Sequence, residues 1–155
     1  MLKFTAGDLQ KVQDEIKTAL KKQFTNKSAL IGIHEDEAAR DDNADINNAT
    51  LGASLHFGSG GIPARPWLDA GVETGADEYS SILQENFDNQ EQALEQIGVV
   101  AVSKVQIYMD NLRTPPNSAT TIALKGSSNP LIDTGNLKQS VTYSITDEKP
   151  SEGIG

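Results

Sequence analysis

Over residues 8–24 the apolar side chains Leu9, Val12, Ile16, Leu20 and Phe24 recur at steps of three and four, while Lys11, Asp14, Lys17, Lys21 and Lys22 fill the other face. That period predicts an amphipathic helix opening near Gly7 or Asp8, with lysines gathered in its C-terminal half, where they suit the helix dipole. A core-packed helix with a solvated basic face is the simplest reading. Residues 28–34 are few, include Ile31 and Ile33 and follow Thr25-Asn26-Lys27, a pattern that predicts a strand. Residues 35–48 then carry six carboxylates (Glu35, Asp36, Glu37, Asp41, Asp42 and Asp45) and one strong apolar residue, Ile46, the composition of an exposed loop. Leu51 and Leu55, beside Ala49 and Ala53, predict two or three helical turns over residues 48–57, ended by Gly58-Ser59-Gly60-Gly61.

Two prolines three apart, Pro63 and Pro66, impose an extended backbone on the residues before them, so Ile62, Pro63, Ala64, Arg65, Pro66, Trp67 and Leu68 read as a rigid extended arm. From Glu73 to Leu112 the residues Tyr79, Leu83, Phe87, Leu94, Ile97, Ala101, Val105, Tyr108 and Leu112 keep a helical period. Forty residues is long for one helix, and Asn86-Phe87-Asp88-Asn89 offers a breaking point. One long helix with a weak point there is the expectation, with two consecutive helices as the alternative. Pro115 and Pro116 stop it. Residues 118–125 suggest a short helix and 126–130 a loop, while Asp133 or Thr134 is placed to cap a turn running to about Ser140, with Gly135 permitting close packing. Val141, Tyr143 and Ile145 alternate with polar residues, as in a half-buried strand. The expected fold class is α+β: a small antiparallel or mixed sheet packed against an N-terminal helix and a long central helix, with extended arms and loops. Residues 1–146 are expected to form one domain, and 147–155 a tail that is mobile unless a partner orders it.

Composition narrows the function. Of 155 residues, 36 are Leu, Ile, Val or Phe, just above the floor of roughly 20% below which charged chains stay unfolded. With 13 Lys and Arg against 22 Asp and Glu, the net charge of −9 disfavours tight binding to nucleic acid or an anionic membrane. There is no cysteine, hence no disulfide, thiolate metal site or cysteine nucleophile. The N-terminal residues lack the apolar core of a signal peptide, and no window approaches the ~18 apolar residues of a membrane span, so a soluble intracellular product is expected.

Motifs for catalysis fail one by one. His34-Glu35 begins like a zinc-protease motif, but the second histidine is replaced by Ala38. Asp41, Asn43 and Asp45 fall at calcium-loop positions one, three and five, yet Ile46 stands at the glycine position and Gly52 at the glutamate position. His34 and His56 lack a nucleophile context, and the glycine run 58–61 lacks the Lys-Ser or Lys-Thr of a phosphate loop. No catalytic residue, cofactor or metal is expected. Trp67 reads as an anchor, for a core or for an interface.

Two segments carry a resemblance. Gly61-Ile62-Pro63-Ala64-Arg65-Pro66-Trp67-Leu68 is similar to an I-P-x-R-P-F-L signature, and residues 129–141, Asn-Pro-Leu-Ile-Asp-Thr-Gly-Asn-Leu-Lys-Gln-Ser-Val, to a P-L-I-D-T-G-x-L-x-x-S-I signature. Both belong to tailed-bacteriophage neck and tail-completion proteins, including the virion-morphogenesis group. Asn47-Asn48-Ala49-Thr50-Leu51-Gly52-Ala53 resembles their N-A-x-L-A segment. Order and spacing fit over residues 29–146. The departures are Leu55-His56-Phe57-Gly58, where the family commonly has Glu before Phe-Gly, and Trp67 in place of Phe.

The resemblance implies a non-enzymatic virion component, made in the bacterial host cytoplasm and placed at the head–tail junction. It implies a homo-oligomeric ring, often six-fold and sometimes twelve-fold, with other neck, connector or tail proteins as partners, DNA only as the passing genome, and no membrane. On that reading residues 62–68 dock on an adjacent subunit with Trp67 in its pocket, and the carboxylates from Glu35 to Asp45 either face the DNA channel or point outward into solvent. An assembly chaperone that leaves before maturation is the alternative, and a small hydrolase using His34 or His56 a distant third.

Overall fold

The structure, a computed structural model, describes residues 5–23, 26–34, 46–119, 123 and 135–147. Helix α1 (Ala6–Gln23) starts one or two residues before the Gly7 or Asp8 expected from the sequence, because Thr5 caps it. The Thr5 hydroxyl and amide both donate to Asp8 Oδ2, at 2.6 and 2.8 Å, and the Asp8 amide donates back to Thr5 Oγ1 at 3.3 Å, a reciprocal capping box. Those hydrogen bonds hold the Asp8 carboxyl below the ordinary aspartate range. A group whose value is lowered by folding adds stability at neutral pH and loses it as pH falls through the folded value. An NMR titration should therefore find the Asp8 midpoint below that of an unstructured aspartate, with α1 fraying from its N-terminus below it. The packing expectation for α1 needs correction. Leu9, Val12 and Ile16 are 58%, 44% and 53% exposed, so these three positions of its apolar row are not part of the core.

Strands β1 (Ser28–Gly32) and β2 (Thr142–Thr146) form a two-stranded antiparallel sheet in the register Ser28↔Thr146 to Gly32↔Thr142. Helix α2 (Asn48–Phe57) opens where Asn47 Oδ1 accepts from the Thr50 amide at 2.8 Å, and ends at Gly58. Ser59 and Ile62 then exchange backbone hydrogen bonds of 3.1 and 2.8 Å around Gly60 and Gly61. Both of these glycines have positive φ, 51° and 90°, as a two-residue turn of this hand requires.

The extended arm is shorter than expected: helix α3 (Trp67–Glu73) begins inside it, directly after Pro66, which can precede a helix because the first turn needs no amide there. The expected long helix is two helices, α4 (Ala76–Glu85) and α5 (Gln90–Asn111). Asn86 closes α4 by donating from its side chain to Ile82 O at 2.9 Å, and Asn89 caps α5 by accepting from the Gln92 amide at 3.2 Å. The apolar period runs on across this junction, but asparagine side chains compete with the helix backbone there. A four-residue helix, α6 (Asn136–Gln139), leads into β2.

α5 is the scaffold. Its buried face is Ala93, Gly98, Ala101, Val105 and Met109, rich in small residues that let the sheet and α3 approach closely. Tyr143 of β2 lies over Gly98, where a Cβ would overlap its ring, and its hydroxyl donates to Glu95 Oε2 at 2.8 Å. Lys27 at the start of β1 pairs with Glu91 at 2.7 Å, and Lys104 pairs with Glu78 of α4 at 2.7 Å. A Cβ on Gly71 would stand 2.8 Å from the Val105 Cα, so α3 and α5 touch backbone to side-chain base. Gly71→Ala should therefore push the helices apart and lower stability by about 2 kcal/mol, overpacking outweighing the gain in helix propensity; urea denaturation reads this directly.

The buried cluster is Leu55, Trp67, Val105, Met109, Leu137 and Val141, flanked by Ile31, Ile33, Leu51, Leu68, Val72, Val102, Tyr108 and Leu112. The α+β class and the packing of helix on sheet are as expected. Among the described residues, no helix is long and apolar enough to cross a membrane.

Candidate functional site

The elements just described bring three of the motif segments to one point. Gly52 on α2 faces the chain with no side chain, and a Cβ there would lie 3.0 Å from Ile33 Cδ1, 3.1 Å from Trp67 Cζ2 and 3.3 Å from Leu137 Cδ1. The indole of Trp67, 3% exposed, fills that hollow and donates from Nε1 to Gly52 O at 3.0 Å. His56, one turn along α2, packs edge-on to the indole with ring centroids 6.1 Å apart and points Nε2 at Asp69 Oδ2, 3.5 Å away. Leu137 of α6 closes the far side, and Ser140 Oγ donates to Leu137 O at 2.8 Å.

Arg65 does a second job beside the indole. Its amide donates to Leu55 O at 2.9 Å, pinning the arm to α2. Its guanidinium, in a residue only 3% exposed, spans to the loop after α5: Nε donates to Pro115 O at 2.8 Å and one terminal nitrogen to Pro116 O at 3.2 Å and Asn117 Oδ1 at 3.5 Å. The other terminal nitrogen donates to Pro63 O at 3.4 Å. These partners are neutral oxygens, and burial pulls the guanidinium down from its ordinary value. The fork is a strap joining arm, α2 and the 115–117 loop, a task that needs several donors in one plane.

This arrangement corrects the arm's expected use. Trp67 occupies a pocket of its own chain, because Gly52 and Leu137 leave a space of its shape there, and so is not held out for a neighbouring subunit. Leu68 packs half-buried against the same core. Ile62, Pro63 and Pro66 remain on the surface, Ile62 at 42%. Gly135 adopts φ 81° as the cap of α6, a left-handed conformation that by itself requires glycine there; among the described residues Gln139 Nε2, at 3.7 Å, is what a Cβ would meet. Asp133 and Thr134 lie outside the described residues, as do Glu35, Asp36, Glu37, Asp41, Asp42 and Asp45, most of residues 118–125 and 126–130, and the tail beyond Asp147.

Sequence reasoning missed Arg65 as a strap and His56 as a neighbour of the indole. An arginine between two prolines gives no local sign that its acceptors lie some fifty residues on. His56, three residues after Ala53 on the Gly52 side of α2, falls within the helix that its segment predicts, but the apolar period assigns it no face. Among the described residues no group of three or more His, Asp or Glu is placed to hold a metal ion. Comparison with family models, with curated proteins and with solved structures finds no match to the chain.

Proposed function

We propose that the chain is a structural subunit of a tailed-bacteriophage neck, of the tail-completion, tail-terminator or head–tail joining kind. It closes with copies of itself into a six-fold or twelve-fold ring at the head–tail junction, contacts other neck, connector or tail proteins, and lets DNA pass without holding it.

The observation that carries this reading is the meeting of Gly52, Trp67 and Leu137. Each comes from a different one of the three segments that resemble neck-protein signatures. Three chance likenesses would have no reason to converge, whereas signatures that record a shared core would. The open apolar row on α1 suits a subunit that completes its burial against neighbours. The net charge of −9 suits a ring that surrounds a polyanion without adhering to it.

Quantitative mass spectrometry of purified tailed particles built with this chain tests the reading. Six or twelve copies per particle are expected. A chain required for assembly but missing from mature particles would be an assembly chaperone instead, and the reading would fall.

A further inference from the structure

We infer that α1 of one copy docks antiparallel on α4 of a second copy, the row Leu9, Val12 and Ile16 covering Leu83. Two faces left open by the fold carry the idea. The α1 row is 58%, 44% and 53% exposed along two turns. On α4 Leu83 is 42% exposed, with Ser80 one turn before it on the same exposed face. Within one copy the two faces remain in solvent, so a second copy is needed to join them.

Charge selects the partner and its direction. Residues 76–95 carry six carboxylates and no lysine or arginine; Glu78 and Glu91 are paired with Lys104 and Lys27 and Glu95 accepts from Tyr143, so the carboxylate beside Leu83 that calls for a cation is that of Asp77, on α4 itself. At 3.6 residues per turn, Lys17 lies about 110° round from the centre of the α1 row, and Asp77 about 90° round from the α4 row in the same rotational sense. Helices packed antiparallel, row to row, bring flanks of the same sense together. With Val12 level with Leu83, Lys17 then comes level with Asp77 to within one residue. A parallel arrangement with Val12 level with Leu83 would instead turn the flank of Asp77 to the flank of Asp8, two residues from level, carboxylate towards carboxylate. α1 and α4 are different surfaces, so the contact is heterologous and repeats from copy to copy, closing a ring when the rotation allows. One such contact is small, and closure makes it stable by linking each copy twice.

This deepens the ring reading by supplying its contact. It is tested on the purified chain, whereas that reading is tested on particles, so either can fail alone. Because the chain has no cysteine, single thiols report contacts cleanly. A tagged Val12→Cys chain is mixed with an untagged Leu83→Cys chain and oxidised; both sites are exposed, and circular dichroism checks that each variant folds. The mixed disulfide should exceed both self-linked dimers together. Adding Lys17→Asp to the first chain should reduce it, and adding Asp77→Lys to the second should restore it. Self-linked Val12→Cys dimers in excess, a purely statistical mixture, no cross-link, or no restoration by the charge exchange would each overturn the inference.

Discussion

Trp67→Ala is expected to lower the stability of the chain by about 4 kcal/mol, the range for removing a fully buried large aromatic. The indole sits where Gly52, Leu137 and Ile33 converge, so its loss opens a cavity between α2, α3, α6 and the residue that follows β1. The hydrogen bond to Gly52 O goes with it. Against a typical stability of about 5–15 kcal/mol, such a loss leaves a substantial unfolded fraction at 37 °C. Trp67→Phe, which keeps an aromatic ring in the pocket, should cost less than half as much, mainly one hydrogen bond of about 1 kcal/mol and some volume. Urea denaturation of the two variants separates the cases. An alanine variant within 1 kcal/mol of the parent would mean that the indole is not the centre of the core.

Arg65→Met should cost about 2–3 kcal/mol. The substitution keeps much of the buried aliphatic volume but removes the donors to the oxygens of Pro63, Pro115, Pro116 and Asn117. Hydrogen bonds to a charged group are each worth about 1.5–3 kcal/mol. The net loss is smaller than their sum because the variant no longer desolvates a cation, and because Pro63, Pro115 and Pro116 are all exposed residues at the surface. Arg65→Lys should fall nearly as far, since one ammonium cannot reproduce the planar fork. The effect should be local as well as global. Amide exchange at residues 117–119 should accelerate in both variants while the amides of α5 around Val105 stay protected, provided the fold is retained.

How much of this was legible depended on distance along the chain. The full extent of α2 is legible because its determinants are local: Leu51 and Leu55 one turn apart, and the glycine run that ends it. The two strands were also visible, one from its isoleucines and one from its alternation. Their pairing was not, since the register joins the two ends of the chain. The α4–α5 break shows in the sequence only as a weak point in one long helix, because a hydrophobic period says nothing about the side-chain caps of Asn86 and Asn89 that decide it. α1 was legible as a helix but not as an unpacked one, for amphipathicity marks a face to be covered without saying by what.

The candidate site shows the same division. Trp67 stood out as an anchor, but its pocket is made by residues 15 positions earlier and 70 later, a glycine and a leucine that look ordinary in sequence. The three signature-like segments gave a reason to connect those regions before any geometry did. Arg65 offered no such clue, since its acceptors are backbone oxygens, which sequence does not distinguish.

We propose above that this chain is a ring subunit at a phage head–tail junction. That proposal is tested most directly by averaged electron images of tailed particles whose copy of this chain carries a bulky C-terminal tag. Six or twelve tags in a single layer between head and tail are predicted. Tags elsewhere on the particle, or particles that mature without any, would contradict the account.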